Sequence, residues 1–135
     1  MADTADRDLT RLAPLRHALL ALHKALLDAE QRSYEKVHGR IQGPGQFLQL
    51  VLNDPWFGWL RPLSALVVQI DELLDAREPV PPGAAAELLG AVRALLAPSE
   101  EGEGFPREYH RALQEVPDVV LVHREVARLL KSGEK

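Results

Sequence analysis

The sequence predicts an all-α protein, an up-down helical bundle. Three observations lead there. Apolar residues recur at spacings of three and four, and no segment sustains a period of two. Four clusters rich in glycine, proline, asparagine or acid then cut the chain into helix-length pieces. The 135 residues fit one domain. With 46% hydrophobic residues, 5% aromatics and no cysteine, the core must rest on leucine, valine and alanine, without disulfides or thiolate ligands.

Residues 1–11 are polar and acidic and read as a flexible tail. The first helix is expected over residues 14–41, about 28 residues or ~42 Å. Leu12, Leu15, Leu19, Leu22, Leu26 and Ala29 form one stripe on it. Ala13, Leu20, Leu27, Tyr34 and Ile41 recur every seven residues as a second. Together they make a wide apolar face of the kind a central bundle helix shows. A short extra helix follows over residues 46–53, with Phe47, Leu50 and Val51 on one side.

The second main helix is expected from Pro55 to about residue 76. Asp54 serves as its N-cap and Pro55 as its first position. Its stripe is Trp56, Trp59/Leu60, Leu63, Leu66/Val67, Ile70 and Leu73/Leu74, and Pro62 demands a late start or a kink. The third, over residues 83–97, shows Ala84, Leu88, Val92 and Leu95. The last is kinked at Pro117 into segments 106–115 and 117–131. Val119, Val122, Val126, Leu129 and Leu130 form its later stripe, and Gly133 is its stop.

Two constellations could carry function. On a wheel of 100° per residue, Arg16, His23, Glu30 and Tyr34 fall in the gap between the two apolar stripes of the first helix. His123 and Tyr109 fall among apolar neighbours on the last helix. Pairing the first and last helices antiparallel, with residue numbers adding to about 146, sets His23 opposite His123 and Tyr34 near Tyr109. Two imidazoles and a carboxylate, His23, Glu30 and His123, suit zinc or iron. Glu35 and His38 also have Glu-x-x-His spacing. A di-iron bundle needs two such units and two further carboxylates, which the second and third helices do not offer. His23 and Glu30 also stand roughly 10 Å apart along the axis. A structural hydrogen-bond network therefore competes with the metal reading.

The second constellation is aromatic. Phe47, Trp56, Phe57 and Trp59 supply four of the seven aromatics within 13 residues, and Arg61 follows. They form either a cap on one end of the core or a binding surface. Tyr34, His38, Trp56, Phe57, Trp59, Arg61 and Tyr109 are the candidate binding residues, with Trp56 and Trp59 inward and Phe57 outward on the wheel.

The net charge of −4 argues against a nucleic-acid partner. Apolar runs fall far short of the roughly 20 residues that span a bilayer, and no secretory signal is evident, so a cytoplasmic protein without membrane contact is expected. The leading functional expectation is a non-enzymatic interaction or scaffold module acting as a homodimer, with no cofactor. The alternatives are a zinc or iron bundle at His23, Glu30 and His123, and a small-ligand binder with its pocket at Trp56 and Trp59.

Overall fold

The computed structural model describes residues 4–131. These form seven α-helices and no strand: α1 (Thr4–His38), α2 (Pro44–Asn53), α3 (Pro55–Gly58), α4 (Arg61–Leu74), α5 (Ala84–Leu95), α6 (Phe105–Glu115) and α7 (Pro117–Lys131). The all-α expectation holds for these residues. The expected stop at Gly133 lies outside them.

α1 is the hub. α4, α5 and α7 pack along it, α3 touches it, α6 packs on α7, and α2 packs on α3. Leu12, Leu15, Leu19, Leu22 and Leu26 are all within 1% of complete burial and meet Leu63, Ile70, Leu89, Val92, Val119 and Val126 in one core. The first apolar stripe of α1 is thus the core stripe. The second is its rim, with Leu20 41% exposed and Leu27 half-buried.

The helix starts ten residues earlier than expected, so residues 4–11 are no flexible tail. Pro14 suggested a first helical position, yet it lies inside α1. An interior proline costs about 3 kcal/mol or more. Burial of Leu12 and Leu15 on either side of it opposes that cost. Arg11 adds a link to the far end of the chain. Its Nη2 donates to the carbonyls of Leu129 (3.3 Å) and Leu130 (2.7 Å), and Arg93 of α5 donates to Leu130 (2.9 Å). The last carbonyls of a helix have no intrahelical donor and carry partial negative charge, so two guanidiniums complete the end of α7.

Proline governs the other breaks. Gly43 takes φ +92 before Pro44 starts α2. Asp54 caps α3 by accepting from the Trp56 amide at 2.9 Å. Pro62 forces a late start: the chain turns at Trp59 and Leu60, and α4 begins at Arg61. Val116 is extended because the residue before a proline is pushed out of the helical region, and this separates α6 from α7. In α5 the buried stripe is Ala85, Leu89, Val92 and Leu96, one residue later than the expected Ala84, Leu88 and Leu95.

The two stripes of α1 can be told apart by truncation. Leu19→Ala should cost about 2–5 kcal/mol in denaturant unfolding, as core leucines do. Leu20→Ala should change stability by less than about 0.5 kcal/mol. Equal losses would mean that both stripes are core.

Candidate functional site

Along the seam of α1 and α4 a column of polar side chains is paired rung by rung. Arg16 Nε donates to Asp71 in a close ion pair. One heptad on, His23 Nε2 and Ser64 Oγ share a hydrogen bond of 2.9 Å. In both rungs the residue numbers add to 87, an antiparallel register. The next heptad position is Glu30, and position 57 opposite it lies between Trp56 and Trp59. There the carboxylate accepts three N–H groups: Trp56 Nε1 at 3.0 Å, Trp59 Nε1 at 2.9 Å and Arg111 Nη2 at 2.8 Å.

Burial deepens along the column. The Arg16 and Asp71 side chains are 39% and 37% exposed, His23 is half-buried, and Glu30 is 5% exposed. A heptad drifts by about 20° per repeat on a straight helix, so a column that begins at the rim turns into the core. The polar column therefore flanks the apolar face rather than lying at its centre, where the wheel puts it.

The Glu30 carboxylate joins two aromatic arcs. In one, Tyr34 packs on Phe57 (5.7 Å between centroids) and edge-on to Trp56 (5.6 Å), His38 packs on Tyr34 (4.5 Å), and Phe47 meets Phe57 edge-on (5.8 Å). In the other, Trp59 meets Phe105 at 5.3 Å, and Phe105 stacks on Tyr109 at 5.3 Å. All seven aromatics of the chain lie in these two arcs. Arg61 stands apart and donates to the Leu52 carbonyl at 2.7 Å, tying the end of α2 to the start of α4.

Beside the tryptophans opens a cleft of about 660 Å³. Glu30, Arg111 and Glu108 line one part of it, and Ser33, Lys36, Val37 and Pro55 another. Arg111 is held by three acids: Glu30, Glu108 at 3.0 Å and Glu115 at 3.6 Å.

The expected trio His23, Glu30 and His123 does not come together. His23 pairs with Ser64, Glu30 with the two indoles and Arg111, and His123 Nδ1 with the Tyr109 hydroxyl. Among the described residues no three His, Asp or Glu side chains converge as a metal site would require. The α1–α7 register differs from the expected sum of 146. Arg11 reaches Leu130, and Ala18 shares a groove with Glu125, an offset of roughly one helical turn. That moves His123 away from His23, and Tyr34 meets Trp56 and Phe57 rather than Tyr109.

Phe57 is also corrected. It is 1% exposed, while Trp56 and Trp59 are half-buried. The inward and outward assignments assume one continuous helix through Pro62, where the structure has two helices separated by a turn at Trp59 and Leu60. Arg111, Ser64 and Asp71 were not anticipated. Their spacing marks ordinary solvated or apolar faces, and only the need of a buried carboxylate for a cation pointed to Arg111.

Burial lowers the pKa of both His23 and His123 and raises that of Tyr109. His123 is therefore neutral near pH 7 and shares a hydrogen bond with the Tyr109 hydroxyl. No family model, curated protein or solved structure matches this chain.

Two outcomes follow. Glu30→Gln leaves two indole N–H groups and a guanidinium facing a neutral amide. It should cost about 2–4 kcal/mol in denaturant unfolding and shift tryptophan emission to the red. The second concerns pH. With folded-state histidine pKa values below the unfolded value of about 6.5, the unfolded chain binds more protons as pH falls. The contribution of His23 and His123 is complete above that value and declines below it. Unfolding at about pH 7.5 and pH 5.5 should show the parent losing stability, and a His23→Gln/His123→Gln double variant losing less. Equal losses would place the titration on other groups.

Proposed function

We propose that this chain is a non-enzymatic helical interaction module that acts as a homodimer, built on an up-down arrangement of α1, α4, α5 and α7. The observation that carries the reading is α2. It is amphipathic in sequence yet has no buried residue. One side, through Phe47, leans on Phe57. Leu48 and Leu52, one turn apart on an adjoining side, are each 55% exposed. An apolar arc wider than its own fold covers is what a helix-mediated interface presents. Val37, 66% exposed, adds apolar surface on α1. The polar groups of the α1–α4 seam each engage another side chain of the same chain, which favours a structural network over chemistry at His23 and Glu30. Lack of cysteine fits a reducing compartment such as the cytoplasm.

A second reading, a small-ligand binder, is favoured by the cleft itself. About 660 Å³ bounded by two tryptophans and a few polar groups matches the make-up of small-molecule sites.

Light scattering at micromolar concentration should give twice the 15.0 kDa chain mass. Leu48→Glu with Leu52→Glu should give a folded monomer with the parent's helical circular dichroism. A monomeric parent would remove the homodimer. A dimeric double variant would move the interface away from α2.

A further inference from the structure

We propose that the cleft beside Trp56 and Trp59 binds a small amphipathic monocarboxylate, with its acid group at Lys36 and Ser33 and its apolar body on the indoles, Val37 and Pro55. The proposal rests on the small-ligand reading and gives that ligand a class.

The polar groups of the cleft differ in whether they are already engaged. Glu30 accepts three N–H donors, and Arg111 is surrounded by Glu30, Glu108 and Glu115. Glu30 and Arg111 therefore balance each other's charge within the protein, and neither brings an unpaired charge to a ligand. Lys36 and Ser33 line the same cleft and have no hydrogen-bond or ion-pair partner among the described residues. They lie three residues apart on α1, so they are neighbours on one side of the helix. Both can donate, and Lys36 is charged. The unoccupied recognition chemistry of the cleft is thus that of an anion site.

Position fixes the orientation. Lys36 stands six residues beyond Glu30, about 9 Å along the helix axis, away from the Glu30–Glu108–Glu115 cluster. A ligand acid group is drawn to Lys36 and repelled from the far end. One ammonium and one hydroxyl suit a single carboxylate, and a second charge would fall among apolar walls or acids. An organic cation would find Glu30 and Glu108 already paired with Arg111, and two cations, Arg111 and Lys36, beside it. The walls left for the body are flat and apolar.

The chain has two tryptophans and both line this cleft, so its intrinsic fluorescence reports on the site. Phenylbutyrate, phenylbutylamine and phenylbutanol share a body and differ in charge. They would be titrated against the full chain by tryptophan emission and, for each, by calorimetry. Phenylbutyrate is expected to bind saturably and most tightly. Lys36→Glu, a change at an exposed position, should weaken it about tenfold, as loss of a charge-assisted hydrogen bond does, and leave phenylbutanol unchanged. Equal binding of phenylbutanol and phenylbutyrate, both indifferent to Lys36→Glu, would overturn the carboxylate assignment and keep the pocket. Tightest binding of phenylbutylamine would overturn the sign of the ligand charge. No saturable binding of any of the three, by either measurement, would overturn the pocket reading and the proposal with it.

Discussion

The constraint on which one end of this protein depends is the burial of a single carboxylate. Taking an ion out of water costs several kcal/mol even after relaxation, and it is tolerated only where donors replace the lost water. Glu30 meets that demand from three separate segments: Trp56 of α3, Trp59 of the turn before α4, and Arg111 of α6. None of these segments is long. α3 has four residues, too few to hold itself helical in isolation. Its position follows from Trp56 reaching Glu30 on one side and Phe57 entering the aromatic arc on the other. α6 is held in the same way through Arg111 and through Phe105 against Trp59. The carboxylate thereby converts a set of short helices into walls of a defined cleft.

The rest of the column shows how one sequence period yields three environments. Arg16, His23 and Glu30 are a strict heptad on a helix that turns every 3.6 residues. The drift carries the same stripe from a half-exposed ion pair, through a half-buried imidazole–hydroxyl pair, to a buried acid. The chemistry of each rung tracks its exposure. Charge meets charge where water can still help, a neutral pair occupies the middle, and the one deeply placed ion has the most donors. The histidine pKa values move in the direction that burial dictates, keeping the middle rung neutral near pH 7.

Helix existence was legible in the sequence, because it rests on local signals: proline and glycine punctuation and a 3.6-residue period. α6 and α7 break at Pro117 as read, and the core stripe of α1 is the leucine stripe. That Arg16, His23 and Glu30 form one polar stripe beside the leucines was legible too. What they meet was not. Partner choice depends on register and direction between helices, and these are set by side chains on both. The pairing of His23 with His123 assumed one offset between α1 and α7, and about one turn of difference sent each histidine to another hydroxyl. Phe57 is buried rather than outward for a related reason. A wheel is valid only within one helix, and the turn at Trp59 and Leu60 interrupts the helix that the wheel assumed.

The polar rungs also bear on why α1 and α4 adopt one register. A seam of leucines alone tolerates sliding, since each leucine fits many neighbours nearly as well. Arg16 with Asp71 and His23 with Ser64 are spaced seven residues apart on both helices. A slip of one turn would set Arg16 near position 67 or 75 and His23 near position 60 or 68. At 67, 60 and 68 the residues are Val67, Leu60 and Val68, which offer neither imidazole nor guanidinium a partner. Only Asp75 could rescue one rung, and it lies beyond the end of α4. Each rung left unmatched would strand a partly buried polar group, at about 1–3 kcal/mol. The same slip would draw Trp56 and Trp59 away from Glu30. Stability comes from the leucine stripe, while the register, and with it the geometry of the cleft, comes from the three polar rungs beside it.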